Sequence, residues 1–132
     1  MCACKEKRKI AIGDEVEGGY VYYIDDSQYK IVKKVSFGEM TFDEASQRAQ
    51  KLVDGVLWSM PSQDELRLIY HNIYLKRIGA IPGREYWTND WYDYGNHVYT
   101  IDFWSGAFKE NKNIHTSKAY FLGVAWRYLP KD

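Results

Sequence analysis

The chain has 132 residues and equal numbers of basic and acidic side chains, 18 of each. That length suits one domain with a buried core, and zero net charge gives no global attraction to nucleic acid or to a membrane surface. Aromatic residues make up 17% of the chain, which favours a β-rich fold. No stretch is apolar for long enough to span a bilayer, so we expect no membrane insertion. The first residues also lack the apolar run of a signal peptide, and we expect a cytoplasmic protein or one incorporated into a particle assembled in the cytoplasm.

Residues 1–9 are predicted to form a basic tail, followed by one domain at residues 10–132. Four basic residues and one acidic residue give the tail a net charge of +3. Such a run is usually a solvated end, although it could instead dock on an acidic partner or on another subunit of a homo-oligomer or assembly. Both cysteines, Cys2 and Cys4, lie in the tail. A pair of cysteines alone is too few for a structural metal site, so we expect reduced and inert thiols.

The N-terminal part of the domain is predicted to be an opening loop followed by a β-hairpin. Residues 10–19 contain three glycines and form the loop. Residues 20–24 and 29–35 are rich in tyrosine, valine and isoleucine, which is typical of strands. Residues 25–28 supply the turn, because aspartate and serine favour turn conformations.

The corner between Trp58 and Glu65 joins an extended segment to a helix start. Ser62 and Glu65 match a capping box, in which each side chain accepts the backbone N–H of the other residue. Pro61 keeps Met60 out of helical geometry, so Trp58 lies in an extended segment where its ring can pack under the helix. We expect Trp58 and Met60 to be core residues. The helix then presents apolar residues at helical spacing: Leu66, Ile69, Tyr70 and Ile73.

A first helix is predicted ahead of this corner. Thr41 and Glu44 form a second capping box, and Gly55 is predicted to end the helix in the left-handed conformation. Both helices could pack on one side of a sheet. The apolar face of the first helix consists of Phe42, Ala45, Ala49, Leu52 and Val53.

The second half of the chain is predicted to alternate short strands with polar loops. Residues 86–88 form a short strand and residues 89–96 a polar, aromatic loop. Residues 97–103 alternate, which predicts a strand. Tyr99, Ile101 and Phe103 should face inward, and Thr100 and Asp102 outward.

The remaining segments complete a fold of strands, two helices and further strands. Residues 104–106 turn the chain, residues 107–110 return it, and residues 111–118 form another polar loop. Residues 119–128 are apolar enough for a central strand. The order predicts an α+β domain of mostly antiparallel strands.

Several pieces of the chain, in this order and spacing, resemble one bacterial family. It is the domain of unknown function at the C-terminus of the Legionella collagen-like adhesin, a compact variant of the C-type-lectin-like fold. The chain departs from the family where Ser59 replaces an arginine after Trp58, and where only Arg127 remains of two arginines in the last strand. The matching pieces are Ile12-Gly13-Asp14, Gly18-Gly19 before Tyr20-Val21-Tyr22-Tyr23, Thr41-Phe42-Asp43-Glu44-Ala45, Trp58-Ser59-Met60-Pro61-Ser62-Gln63-Asp64-Glu65-Leu66, Tyr86-Trp87-Thr88 and Phe103-Trp104-Ser105-Gly106.

The resemblance implies small, mostly antiparallel sheets with two flanking helices, and N-terminal and C-terminal strands that pair with each other. It also implies long loops on one side of the domain. The family is largely non-enzymatic and is linked to adhesion and surface binding, often as a terminal module on an oligomer.

The best candidate contact surface is the aromatic and polar loop after residue 90, with a nearby tryptophan. Rigid aromatic faces beside hydrogen-bonding groups suit both sugars and protein partners. The alternative is that Trp91 and one tyrosine fold inward over the core. On the binding hypothesis, Trp91→Ala should weaken binding and leave the melting curve intact. The candidate ligand-binding residues are Trp91, Tyr92, Asp93, Tyr94, Asn96 and Trp104.

The sequence offers no metal, cofactor or catalytic motif. Asn89-Asp90 is superficially similar to an element of calcium-dependent lectins, but the spacing is wrong and the partner motif is absent, so a capped turn is expected. No nucleophile motif accompanies His71, His97 or His115. We therefore expect no enzymatic activity.

Two functions follow from these observations. The first is a non-catalytic, lectin-like or adhesin-like module that binds a glycan or a protein surface. The alternative is a structural subunit of a larger assembly, such as a bacteriophage virion or fibre protein. The missing export signal on an adhesin-type fold motivates that alternative.

Overall fold

The computed structural model describes residues 9–92 and 95–129, which form an α+β structure of mostly antiparallel strands with two short helices. This confirms the predicted fold class at that level. Residues 1–8 of the predicted tail, with Cys2 and Cys4, lie outside the described residues.

Both predicted capping boxes are present, and each begins a helix. Helix α1 spans Phe42–Arg48 after Thr41, and helix α2 spans Gln63–Ile69 after Ser62. Ser62 Oγ accepts the Glu65 N–H at 3.1 Å, and the Glu65 carboxylate accepts the Ser62 N–H at 2.9 Å. These local signals located both helix starts because each cap satisfies otherwise unpaired backbone N–H groups within four residues.

In the described residues, the strands form two sheets and one small hairpin. The four-stranded sheet has the order β1-β2-β3-β11, the five-stranded sheet has the order β4-β10-β7-β8-β9, and β5 pairs with β6. Of the pairs in these sheets, β10 and β7 are parallel and the others are antiparallel. The strands are β1 Glu15–Val16, β2 Gly19–Ile24, β3 Gln28–Lys33, β4 Glu39–Met40, β5 Leu52–Val53, β6 Val56–Leu57, β7 Glu85–Trp91, β8 His97–Asp102, β9 Ala107–Asn113, β10 Ala119–Tyr120 and β11 Val124–Tyr128.

The predicted N-terminal hairpin is present as β2 and β3, and Asp25 holds its turn. The Asp25 carboxylate accepts the backbone N–H groups of Ser27 and Gln28, each at 2.9 Å. The hydrogen bond from the Ser27 N–H is the largest of the effects that lower the pKa of Asp25 to about 2. The hydrogen bonds accepted by Asp25 therefore determine this turn, as the sequence predicts.

The prediction for residues 119–128 was wrong, because they form two strands rather than one central strand. β10 lies inside the five-stranded sheet, and β11 forms an edge of the four-stranded sheet. The chain crosses between the sheets at Gly123, where an added Cβ would lie 2.8 Å from Cβ of Trp58. β11 pairs with β3, and β2 lies on the far side of β3. The first and last strands therefore share a sheet but are not paired, contrary to the expectation from the family resemblance.

The prediction of where the first helix ends was also wrong. Helix α1 ends at Arg48, and Leu52–Val53 is strand β5. Asp54 and Gly55 have positive φ values of 52° and 80° and connect β5 to β6. Asp-Gly with both residues at positive φ is the preferred two-residue hairpin turn, so Gly55 is left-handed in a hairpin and not at a helix end.

Two predictions in the second half of the chain also need correction. Strand β7 continues to Trp91, so Asn89 and Asp90 belong to a strand and not to the loop predicted at residues 89–96. Thr100 is 0% exposed, whereas it was predicted to face outward. Its pairing with β9 is interrupted by an irregularity between Val98 and Thr100, which simple alternation along the strand does not reveal.

The four-stranded sheet is covered on both faces. Val21 and Ile31 pack in one cluster with Trp58, whereas the next residues along their strands, Tyr22 and Val32, pack in the cluster that contains the buried face of α2. Successive strand residues point to opposite faces. Trp58, 2% exposed, is therefore a core residue as predicted, but it packs on the face opposite α2 rather than under the helix.

The corner before α2 joins the two sheets. Ser59 exchanges backbone hydrogen bonds with Val124 of β11 at 2.7 and 2.9 Å, and the Pro61 carbonyl oxygen accepts the Asn89 N–H of β7 at 2.9 Å. The Asp90 carboxylate accepts the Gln63 N–H at 2.6 Å, which caps the start of α2 from the second sheet. The Asn89-Asp90 pair therefore has a structural role, because Asp90 caps α2.

Glu65 connects the helix cap to the four-stranded sheet. Its carboxylate accepts a hydrogen bond from Lys30 Nζ at 3.2 Å and lies 3.5 Å from the Tyr22 hydroxyl. Burial, followed by the Glu65 charge, raises the pKa of Tyr22 far above its usual value. Tyr22 therefore stays protonated and donates to Glu65.

We expect Glu65→Ala to lower the free energy of unfolding by about 2 kcal/mol, because it removes a cap, an ion pair and the acceptor of a buried hydroxyl. The matched variant Glu44→Ala removes the corresponding capping box of α1 from an exposed position, and we expect it to cost about 1 kcal/mol or less. Urea denaturation monitored by tryptophan fluorescence measures both. Equal losses would show that the contacts of Glu65 with the sheet contribute nothing.

Candidate functional site

The predicted site residues divide between the two ends of the β7–β8 hairpin. Trp91 faces Val98 at one end of the pairing, and Glu85 faces Asp102 at the other end. Trp104 follows Asp102, so about 20 Å of strand separates it from Trp91 at roughly 3.3 Å per residue. The structure therefore does not bring Trp104 together with the other described members of the predicted set.

Trp91 and Tyr92 are surface residues that lie against rings of the fold. Trp91 is 48% exposed, and its ring meets the edge of Phe42 at a centroid distance of 5.4 Å. Tyr92 packs edge-on against Tyr99 at 5.6 Å. Each ring is thus held in place on one side and open to solvent on the other.

The connection between β7 and β8 is tied to its surroundings by backbone hydrogen bonds. The Tyr92 N–H donates to the His97 carbonyl oxygen at 2.8 Å, and the Ile114 N–H donates to that of Asn96 at 2.9 Å. Asn96 is exposed. Asp93 and Tyr94, the remaining predicted site residues, lie outside the described residues.

Trp104 is the most exposed tryptophan in the described chain, at 79%. The turn that carries it is well defined, because Asp102 accepts the Trp104 N–H at 2.8 Å through its side chain and the Gly106 N–H at 2.7 Å through its backbone. Gly106 has φ of 75°, and a Cβ there would lie 2.7 Å from the Tyr70 ring. A glycine is thus required for the turn that presents Trp104.

Gly83 provides the surface on which the indole of Trp104 rests. A Cβ at Gly83 would lie 3.3 Å from Cδ2 and Cε2 of Trp104 and 2.6 Å from the Tyr74 hydroxyl. The absence of a side chain therefore lets the indole approach the backbone. The opposite face of the ring is available for a ligand, since so little of it is covered.

Beside Trp104 is an open cleft of about 340 Å³, here named the Trp104 cleft. It lies at the end of the five-stranded sheet and combines residues from all five strands and from three connecting segments. Trp104 and Tyr120 supply aromatic surface, and six charged side chains supply hydrogen-bonding groups. The lining residues include Glu39, Arg84, Glu85, Asp102, Lys109 and Lys118.

Two carboxylates of the cleft are already paired. Glu85 lies 3.3 Å from Lys112 Nζ and accepts a hydrogen bond from the buried Thr100 hydroxyl. Asp102 lies 3.6 Å from Lys109 Nζ and accepts the Trp104 N–H. These contacts fix both carboxylates as hydrogen-bond acceptors along one wall of the cleft.

Arg84 lies on the aromatic side of the cleft. Its guanidinium carbon is 4.5 Å from the centroid of the Tyr120 ring, and Nη1 donates a hydrogen bond to the Tyr120 hydroxyl. A guanidinium stacked on an aromatic ring is held in one orientation and keeps its other N–H groups for a ligand.

Sequence reasoning missed Arg84, Tyr120 and the other cleft residues outside the tryptophan turn. The turn predicted at Trp104-Ser105-Gly106 was the sequence feature that indicated Trp104. No local pattern places Arg84, the residue before β7, beside Tyr120 in β10, because their proximity results from the parallel pairing of Tyr120 with Tyr86.

The described residues offer no cluster of three metal-ligating side chains. Of the three histidines, His115 contacts Asp43 at the surface and His71 packs edge-on against Tyr70 at 5.3 Å. No helix in the described part of the chain is long and apolar enough to cross a membrane.

No protein-family model matches the chain, and no curated protein matches it either.

We expect Trp91→Ala to lower the free energy of unfolding by about 1–2 kcal/mol, because it removes a half-buried ring from Phe42. The control is Trp104→Ala, which should cost about 0.5 kcal/mol or less for a ring this exposed. Thermal unfolding followed by circular dichroism measures both. This expectation replaces the sequence-based one, that the Trp91 change leaves the melting curve intact, and equal losses in the two variants would refute it.

Proposed function

We propose that this chain is a non-catalytic carbohydrate-binding module and that the Trp104 cleft holds the sugar. The observation that carries the proposal is an indole 79% exposed beside a cleft of charged, hydrogen-bonding side chains. The C–H face of a pyranose is apolar and packs on an aromatic ring, whereas its hydroxyl groups need acceptors and donors at the edge. The cleft offers both within one surface.

The fold proposed for this module is a compact C-type-lectin-like domain. Support comes from the motifs that resemble the adhesin-associated family, and from a last strand that returns to the sheet of the N-terminal hairpin. The second sheet then carries the loops and turns on which the Trp104 cleft is built. In this proposal the domain acts in adhesion or surface recognition rather than in catalysis.

The proposal of a non-enzymatic role has support in the paired carboxylates. Glu85 and Asp102 face each other across β7 and β8, and a glycosidase also uses a pair of neighbouring carboxyl groups. A glycosidase needs one of its two carboxyl groups to be a proton donor. In this chain each carboxylate has a lysine within 3.6 Å and a further hydrogen-bond donor, which suits the orientation of sugar hydroxyl groups.

We expect Trp104→Ala to weaken the binding of glycans about tenfold, the equivalent of about 1.4 kcal/mol, because stacking on the indole is lost. A glycan array with the wild-type protein selects the ligand, and titration calorimetry measures the affinity. Trp104→Phe should retain most of the affinity.

The matched control is Trp91→Ala, which removes the same side chain from the far end of the hairpin. It should leave the affinity unchanged. If it abolishes binding while Trp104→Ala does not, the ligand binds at the residue 91–96 connection and the assignment to the Trp104 cleft is wrong.

A second candidate function is that of a structural subunit in an assembly, such as a virion or fibre protein of a bacteriophage. The observation that favours it is the edge of β11, where no strand of the described residues pairs with Trp126 or Tyr128 on the side away from β3. The backbone of Val124 forms its hydrogen bonds with Ser59, on the side away from β3. The Gly123 carbonyl oxygen and the Leu129 N–H form theirs on the side of β3. Since successive residues alternate, the backbone N–H groups of Trp126 and Tyr128 point away from β3.

The side chains at this edge are also suited to association. Trp126 is 50% exposed and Tyr128 is 72% exposed, and their rings meet at 4.8 Å. An unpaired strand edge is a template for the addition of another strand. A strand from a second copy would extend the four-stranded sheet and cover both rings.

For this second function we expect concentration-dependent dimers in sedimentation velocity experiments. Tyr128→Pro should abolish them, because proline removes an outward N–H without disturbing the bonds to β3. Tyr128→Phe retains the N–H and should still dimerise. A wild-type protein that stays monomeric at every soluble concentration would exclude assembly through this edge.

A further inference from the structure

The charged side chains of the Trp104 cleft are not all paired. Glu85, Asp102 and Lys109 form ion pairs. Arg84, Lys118 and Glu39 also line the cleft, and none of them has an ion-pair partner among the described residues. Lys118 lies near enough to Glu44 for its charge to help lower the pKa of that carboxyl, so Arg84 is the cation of the cleft with no carboxylate partner among the described residues.

Arg84 is the unpaired cation with a defined orientation. The Tyr120 ring supports its guanidinium at 4.5 Å, and the Tyr120 hydroxyl accepts only one of its hydrogen bonds. A guanidinium has five N–H donors in a planar fork, and this fork matches the two oxygen atoms of a carboxylate. Arg84 directly follows Gly83, the residue on which the Trp104 indole rests, so the fork and the indole border the same space.

We propose that the sugar bound in the Trp104 cleft is a sugar acid, whose carboxylate pairs with Arg84 while its ring stacks on Trp104. This inference rests on the proposed carbohydrate-binding function. A monoanionic sugar matches the single charge of Arg84. The carboxylate of a hexuronic acid is attached directly to the pyranose ring, which fits a guanidinium and an indole that are neighbours.

The same charges argue against a phosphorylated ligand. A phosphate carries close to two negative charges at neutral pH, and the cleft already contains the carboxylates of Glu39, Glu85 and Asp102. A second negative charge would exceed the single charge of Arg84 and would approach these carboxylates. Like charges brought together in an interface oppose binding.

The test uses matched ligands in which a charged carboxylate is replaced by its neutral methyl ester. Oligomers of galacturonic, glucuronic and mannuronic acid are titrated into the wild-type protein by calorimetry, together with the methyl esters of the same oligomers. We expect at least one acid to bind about tenfold more tightly than its ester. Arg84→Gln should reduce this ratio to about one, whereas Glu39→Gln should increase it because a repulsive charge is removed.

The matched control is Arg67→Gln. Arg67 also stacks on an aromatic ring, with its guanidinium carbon 4.7 Å from the centroid of Phe108, but it does not line the cleft. The acid-to-ester ratio should be the same in this variant and in the wild type. A ratio that falls equally in Arg67→Gln and Arg84→Gln would reflect total charge and would overturn the assignment to Arg84.

The remaining outcomes separate the inference from the proposed function. If acid and ester bind equally and Trp104→Ala weakens both, the carboxylate preference is wrong and the carbohydrate site stands. If a phosphorylated sugar binds more tightly than the acid, the assignment of a carboxylate is wrong. If neither the uronic acids nor any sugar on a glycan array binds, the proposed function fails, and the inference fails with it.

Discussion

The extended corner between Trp58 and Glu65 is the constraint on which the rest of the fold depends. Ser59 pairs with β11 of the four-stranded sheet, and Pro61 accepts a hydrogen bond from β7 of the five-stranded sheet. Within four residues the chain then enters α2, whose cap residue Glu65 returns to the first sheet through Lys30. One short covalent segment thus carries hydrogen bonds to both sheets.

The position of the Trp104 cleft follows from this constraint. Asn89 and Asp90 hold one part of β7 to the corner, and the start of β7 and the end of β8 lie at the opposite end of the hairpin. Trp104 and Arg84 lie at that end, and both side chains are exposed. The hydrogen bonds to the corner hold β7 in place, and the turn after β8 has room for a ligand.

Sequence reasoning succeeded where one residue and its near neighbours decide the structure. Both helix starts and the turn at Asp25 depend on hydrogen bonds that reach two or three residues. It failed at Gly55, because an apolar spacing that continued past Arg48 concealed the Asp-Gly hairpin turn. It also failed at Gly123, since no local pattern shows that a continuous apolar run changes from one sheet to the other. Burial of Trp58 was predictable from its size, but the face of the sheet that it covers was not.

The sequence by itself determined the caps, the N-terminal hairpin, the α+β class and the exposed tryptophan turn, because short-range hydrogen bonding and side-chain size decide these features. Only the tertiary structure decided that Trp91 and Trp104 lie at opposite ends of one hairpin. It also placed Arg84, Tyr120 and Lys118 beside Trp104, although these residues come from distant parts of the chain. Strand register and the order of strands in a sheet depend on packing across the whole domain, so the set of residues around a cleft cannot be obtained from local spacing.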